Sequence, residues 1–153
     1  MLADLLHPAR ITTSLRASDR DGVLRALANL FTAADPKLDG QGVYDALLKR
    51  EMLASTGVGH GVALPHGRVG GLAAPQAAIA IHPSGVPFRA VDGQPVRIFV
   101  GILGPEDEPG AHLQTLAQVS KALRDADVRE RLLTAKDADQ VLTICGAAPK
   151  AAS

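Results

Sequence analysis

The order of two apolar patterns along this chain leaves few folds open to it. Apolar residues recur at helical spacing near both ends, whereas short continuous apolar runs bounded by glycine and proline occupy the middle. A helix buries one stripe and a sheet buries its faces, so strands set between two groups of helices predict stacked layers. We expect an α/β fold, a single layered α/β/α domain with a mixed β-sheet flanked by helices.

The helical segments have recognisable starts and stops. After a short β-favouring run over residues 10–15, Ser18 to Asp21 resembles a capping box, with Asp21 where Glu or Gln is usual, and Asp35-Pro36 ends the helix that follows. Further helices are predicted over about 41–52, from about 112, and around 128–133 and 141–144. The residues at helical spacing are Val23, Leu24, Leu27, Leu30 and Phe31, then Val43, Tyr44, Leu47 and Leu48, which we expect to face inward, then His112, Leu113, Leu116, Val119 and Leu123.

The middle of the chain contains the predicted strands. Pro87 argues that its strand lies at an edge or in an irregular place, because proline cannot donate to a sheet ladder. Asp92-Gly93 is a strong turn signal and predicts a hairpin between the last two strands. The predicted strands cover residues 62–64, 77–81, 86–91 and 96–103.

Length and charge set further limits. A chain of 153 residues fits one domain, which we place at residues 1–146, with a flexible tail over 147–153. Sixteen basic and sixteen acidic residues cancel, so the positive field that nucleic-acid binding needs is missing. We therefore do not expect nucleic acid as a partner.

Membrane insertion and disulfide chemistry are also not expected. No apolar run approaches the ~20 residues of a membrane span, and the N-terminus carries an early aspartate without a signal-peptide core. The single cysteine, Cys145, allows neither an internal disulfide nor a multi-cysteine metal site. We expect a cytoplasmic protein.

Functional residues concentrate between Lys49 and Val69. Gly57 to Gly61 superficially suggests a phosphate-binding loop, but it follows a predicted helix and lacks the Lys and Ser/Thr of a P-loop. His66 is the leading candidate instead: Pro65 before it directs the chain, and Gly67 after it removes a side chain that would block access. A neutral imidazole, with a reference pKa of about 6.5, can attack phosphorus or bind a metal.

Two runs of this sequence carry a family resemblance. REMLASTGVGHGVALPHG, from Arg50 to Gly67, and HLQTLAQV, from His112 to Val119, resemble the signature of the fructose/mannitol/nitrogen-type enzyme IIA domain of the bacterial phosphoenolpyruvate-dependent phosphotransferase system. The resemblance covers nearly the whole chain.

The resemblance implies a phosphotransfer role for particular residues. His66 would accept a phosphoryl group from an HPr-type phosphohistidine protein, Arg50 would bind phosphoryl oxygens, and His112 would donate a hydrogen bond. Hydroxyl contacts from Ser55 and Thr56 and a contact from Arg68 are additional candidates. Without the resemblance, the residues favour a solvent-facing His112. For Arg50 a solvated helix end is the structural alternative, and for Arg68 a plain surface arginine is an equal alternative.

Several alternatives remain open at this point. The opening Leu2 to Ile11 resembles the nitrogen-regulatory branch, which favours a regulator that binds a downstream protein. A sugar-specific component that serves a separate IIB protein, or a binding module without phosphotransfer, would also fit. The resemblance implies no metal or organic cofactor, although His60, His66 and His112 could together bind zinc. Apolar contacts with the donor are expected from Val58, Val62, Leu64 and Val69.

Overall fold

The computed structural model describes residues 1–147, in which a mixed sheet is flanked by helices as predicted. Of the predicted tail, only Ala147 belongs to these residues. No helix within them is long and apolar enough to cross a membrane. The helices are α1 Arg20–Ala34, α2 Gly40–Leu53, α3 Pro109–Leu123, α4 Ala126–Thr134 and α5 Ala138–Ile144, and short 3₁₀ helices cover Leu2–Leu5 and Pro8–Arg10. The strands are β1 Ile11–Thr12, β2 Gly57–Gly59, β3 Val62–Ala63, β4 His66–Val69, β5 Gln76–Val86 and β6 Val96–Pro105.

Strand β6 organises the sheet, whose order is β1-β5-β6-β3-β2. It pairs antiparallel with β5 on one side and parallel with β3 and then β4 on the other. Strands β3 and β4 therefore run along β6 one after the other, as two segments of one strand position in the sheet, separated by Leu64 and Pro65. The Pro65 carbonyl accepts a hydrogen bond of 2.9 Å from the Ile102 N–H, which keeps the second piece in register with β6.

The side chains on the two sides of β6 belong to two different apolar clusters. Phe99 and Leu103 pack with α1 and α2, whereas Ile98 and Ile102 pack with α3, α4 and α5. Side chains alternate along a strand, so this division follows directly from the near-continuous apolar run of β6. It also decides which helices each residue of the parallel neighbour β4 will face.

The predicted strand over residues 86–91 is wrong. Only Val86 belongs to a strand, at the end of β5, and residues 87–90 are irregular. Pro87 has no N–H to donate, and Arg89 adopts a φ of +53°, which ends an extended run. A hairpin does form, but it joins β5 to β6, and its turn is closed by the Gly93 N–H donating to the Ala90 carbonyl at 2.9 Å.

Two helical details also differ from the predictions. Helix α1 is capped by Asp19, whose carboxylate accepts from the Gly22 N–H at 2.8 Å, while Asp21 bonds to Arg25 and Tyr44. Aspartate caps as well as serine does, so the start moves by one residue. In α3, Leu113 is 66% exposed and Thr115 is buried instead, because His112 and Thr115 are three residues apart on one stripe.

Candidate active site

His66 is the first residue of β4 and pairs with Ile102 of β6, so it lies on the face of the sheet that packs against α3. Its neighbour Gly67 therefore points to the opposite face. A Cβ on Gly67 would lie 3.0 Å from the Cβ and 3.1 Å from the carbonyl carbon of Ala46 in α2. The glycine thus lets α2 approach β4 closely, which corrects the expectation that it clears access to His66.

The imidazole of His66 is held in one tautomer. Its Nδ1 lies 2.7 Å from the carbonyl oxygen of Leu64. A carbonyl oxygen only accepts hydrogen bonds, so Nδ1 carries the proton and Nε2 keeps its lone pair. Because the side chain is half-buried, the geometry presents one nucleophilic nitrogen in a fixed direction.

His112 lies beside His66, with ring centroids 5.6 Å apart and ring planes inclined by 47°. It is buried at 7% exposure, so the solvent-facing interpretation of this residue is wrong. Its Nδ1 has no hydrogen-bond partner among residues 1–147 and lies against Gly104, where a Cβ would be only 2.5 Å away. A proton on that nitrogen would find no acceptor, which favours the tautomer of neutral His112 with its proton on Nε2.

Burial is the main influence on both histidines. It lowers the pKa of His66; the hydrogen bond to Leu64 opposes this, nearby Arg50 lowers the pKa further, and Glu51 raises it. Burial likewise lowers the pKa of His112, and the neighbouring His66 and Arg68 act in the same direction. Both rings are therefore neutral at physiological pH.

The two candidate arginines approach the histidine pair from different elements. Arg50 lies in the last turn of α2 and donates to the Ala54 carbonyl at 2.9 Å. Arg68 is exposed on β4 and donates to the Glu106 carbonyl at 3.1 Å. Each influences the pKa of one histidine, so both lie within electrostatic reach of the pair. A guanidinium has further donors beyond the one used here, which leaves each arginine able to bind an anion.

The candidate hydroxyl residues are both engaged with the protein. Ser55 donates to the Phe88 carbonyl at 2.9 Å and accepts from the Gly57 N–H at 3.1 Å. Thr56 is buried, and its hydroxyl donates to the Glu51 carboxylate at 2.6 Å. Their predicted contacts with a phosphoryl group stay a prediction.

Sequence reasoning missed Glu51. Its carboxylate is 1% exposed and accepts from both the N–H and the hydroxyl of Thr56. No role was predicted for Glu51, yet Tyr44, Leu47 and Glu51 are spaced at i, i+3 and i+7. That spacing places Glu51 on the buried stripe of α2 and was the available signal.

His60 occupies the turn between β2 and β3. It adopts a φ of +56° and Gly61 a φ of +74°, between the paired residues Gly59 and Val62, as in a type I′ hairpin. The side chain is exposed there. No group of three His, Cys, Asp or Glu side chains within residues 1–147 could hold a metal ion, so the structure does not support the three-histidine zinc hypothesis.

The prediction of apolar contacts with the donor protein is wrong for two of its four residues. Val62 and Leu64 are buried at 1% and 6% exposure, because they belong to the apolar cluster beneath α3. Val58 is 51% exposed and Val69 is partly buried. Leu113, next to His112, is a more exposed apolar residue that the helical pattern had placed inside.

Comparison with known proteins places this arrangement in a family. The family model described as "Phosphoenolpyruvate-dependent sugar phosphotransferase system, EIIA 2" matches residues 4–147. The chain belongs to this family, as the sequence resemblance implied. Its relatives include nitrogen regulatory proteins: that of Pseudomonas aeruginosa is 36% identical over 143 residues, covering 94% of this chain and 93% of the relative.

A solved structure and a sugar-specific relative extend the comparison. The nitrogen regulatory protein IIA-Ntr from Neisseria meningitidis superposes with a TM-score of 0.86 at 30% identity, covering 94% of this chain and 98% of that one. A fructose-specific EIIA component of Haloferax volcanii is 36% identical over 122 residues, covering 80% of this chain and 79% of the relative. The relatives support a phosphocarrier of the nitrogen type, and they support the sugar-specific alternative less well.

Proposed function

We propose that Nε2 of His66 accepts a phosphoryl group from an HPr-type phosphohistidine protein and holds it as a transient phosphohistidine in the cytoplasm. The observation that supports this most directly is the 2.7 Å contact of Nδ1 with the Leu64 carbonyl. It keeps a proton on Nδ1 and leaves the Nε2 lone pair free to attack phosphorus.

The transfer exchanges one nitrogen–phosphorus bond for another. The bond from phosphorus to the donor imidazole breaks, and its electron pair returns to the donor nitrogen as the bond to His66 Nε2 forms. Nδ1 of His66 keeps its proton, so the ring becomes a phosphorylated imidazolium whose N–H still donates to Leu64. No other co-reactant is needed, and the protein contributes positioning and charge stabilisation.

Arg50 and His112 supply that stabilisation in the proposal. The guanidinium of Arg50 offers parallel N–H donors that match phosphoryl oxygens. His112, neutral and protonated on Nε2, donates a hydrogen bond from its place beside His66. Arg68, Ser55 and Thr56 are secondary candidates for contacts with the same oxygens, and Val58 and Leu113 are exposed apolar residues available to the donor protein.

Phosphorylation by the general phosphotransferase proteins tests the function. Incubation with phosphoenolpyruvate, enzyme I and HPr should give stoichiometric acid-labile phosphate, seen by ³¹P NMR and intact mass, and His66→Ala should remove it. His60→Asn is the matched control, since this exposed turn residue keeps its conformation as Asn and the label should remain. Label that persists in His66→Ala contradicts the proposal, and a folded wild-type protein without label favours the pure binding module.

The destination of the phosphoryl group separates regulator from sugar component. The nitrogen-regulatory relatives favour a protein that reports its phosphorylation state to a downstream partner. We expect purified phosphoprotein to retain its label when mixed with separate fructose- or mannitol-type IIB proteins. Rapid transfer of the label to one of them would establish the sugar-specific alternative.

The pH dependence of phosphorylation should reflect the lowered pKa of His66. The neutral ring is the nucleophile, and its pKa lies below the ordinary value of about 6.5. The initial rate should therefore stay high as the pH falls through 6.5 and decline only below it. Native stability should begin to fall earlier, near pH 6.5, where the unfolded chain takes up a proton, and should go on falling until the pH reaches the lower pKa of the native ring. A midpoint at or above 6.5, by rate or by NMR titration of His66 against N-acetylhistidine, would contradict this.

A further inference from the structure

Glu51 is a buried acid without an obvious counterion. Its side chain is 1% exposed and makes no salt bridge among the described residues. Burying a carboxylate is unfavourable unless hydrogen bonds compensate it, and here both compensating donors come from one residue, Thr56. A leucine or methionine at this inward position of α2 would avoid that penalty, so the carboxylate calls for an explanation beyond helix packing.

A continuous chain of hydrogen bonds leads from this carboxylate to the imidazole of His66. Glu51 accepts from the Thr56 N–H at 2.8 Å and from the Thr56 hydroxyl at 2.6 Å. The Thr56 carbonyl accepts from the Leu64 N–H at 3.0 Å. The Leu64 carbonyl in turn accepts from Nδ1 of His66 at 2.7 Å. Three hydrogen-bonded steps therefore connect Glu51 on α2 to the Leu64 carbonyl and the His66 ring. The last of these bonds determines which ring nitrogen keeps its lone pair.

We propose that Glu51 is a positioning residue for His66, which acts through Thr56 and Leu64 to fix the orientation and tautomer of the imidazole. Leu64 precedes Pro65, which lies between β3 and β4 and has no N–H to donate to β6, although its carbonyl keeps the bond to Ile102. The Leu64 peptide needs a second anchor at that point, and Thr56 supplies it. This role rests on the proposed phosphorylation of His66.

The charge of Glu51 acts in the same direction as its hydrogen bonds. The carboxylate raises the pKa of His66, in opposition to burial and to Arg50. Glu51 thus acts on His66 by position, through the hydrogen bonds to Thr56, and by charge, through the pKa of the ring, and the two contributions can be separated.

Two variants make that separation. Glu51→Ala removes the anchor, whereas Glu51→Gln retains it without charge, because the amide oxygen accepts from the Thr56 N–H and the amide N–H₂ donates to a reoriented Thr56 hydroxyl. We expect Glu51→Ala to lower the maximal rate of phosphorylation by phosphorylated HPr by about 10- to 100-fold. The KM for the donor should stay within about twofold, and Glu51→Gln should recover the rate to within about threefold of wild type.

NMR of the His66 imidazole distinguishes a positioning role from a merely structural one, because a general loss of stability would not change the signals of this ring. In Glu51→Ala the Nδ1–H signal of His66 should broaden or shift, and both variants should lower the pKa of this ring. Tyr44→Phe is the control, since it removes the bond to Asp21 elsewhere on α2 and should leave rate and ring signals unchanged. Circular dichroism at the assay temperature confirms that each variant is folded.

The failures of the two proposals are distinguishable. A wild-type protein that takes no label on His66 contradicts the proposed function itself. A labelled wild type with a folded Glu51→Ala variant of equal rate and unchanged ring signals overturns the positioning role. A Glu51→Gln variant as slow as Glu51→Ala also overturns it, because the anchor would then be present without its effect.

Discussion

Replacement of Arg50 with alanine should reduce the maximal rate of His66 phosphorylation by about 10²- to 10³-fold, the usual effect of removing one preorganised donor to developing charge. Arg50 lies at the end of α2, where one N–H bonds to the Ala54 carbonyl, and its other N–H groups have no hydrogen-bond partner among residues 1–147 and could bind a phosphoryl group. The KM for phosphorylated HPr should change much less. Single-turnover kinetics with pre-phosphorylated donor measure the step directly.

Lysine at this position should recover only part of the rate, because an ammonium is a point charge without the planar fork. Lys49→Ala is the matched control: it removes a neighbouring exposed cation from the same helix turn and should leave the rate unchanged. The pKa of His66 should rise in Arg50→Ala, since Arg50 lowers it in the wild type. Equal losses in Arg50→Ala and Lys49→Ala would reduce Arg50 to a general contributor of positive charge.

The second large effect is expected at Gly104, which makes room for His112. A methyl group there would lie 2.5 Å from Nδ1 and 3.0 Å from Cβ of His112. Gly104→Ala should therefore push the ring and the first turn of α3 outward, at a cost of about 1–3 kcal/mol in the free energy of unfolding. Displacement of about 1 Å should lower the phosphorylation rate by about 100-fold.

Gly110→Ala tests whether that effect is specific. Gly110 lies in the first turn of the same helix, and a Cβ there meets nothing within 4 Å. Alanine is the better helix former, so this variant should be as stable as wild type or more so, with an unchanged rate. Urea denaturation and the kinetic assay compare the pair. A Gly104→Ala protein with normal rate and normal His112 NMR signals would contradict the steric interpretation.

The architecture was predictable because it rests on long periodic segments. The continuous apolar run of β6 indicated a strand buried on both faces, and helices α1 and α2 agree with their apolar periodicity to within a residue or two. Short elements were less predictable. The prediction of a strand over residues 86–91 failed because an apolar run indicates burial and not a particular backbone conformation. Phe88 is buried, but it is not in a strand.

The site was predictable only in part. His66 stood out by its flanking residues, but nothing local joins it to His112; that proximity depends on the pairing of β4 with β6 and on the course of α3 across the same face. The family resemblance placed His66 and His112 in one site, which the periodicity of the sequence could not do. The supporting residues Glu51 and Gly104 escaped notice because their roles depend on contacts with Thr56 and His112 that only the folded chain creates.

The close packing of Gly67 against Ala46 limits how far β4 can move during the proposed phosphotransfer. Helix α2 supports β4 from directly behind the position of His66, so the strand has no space in which to move back from the site. If His66 carries the phosphoryl group as proposed, the phosphorylated and free forms should therefore differ little in structure. The same geometry would then serve both receipt and release of the group.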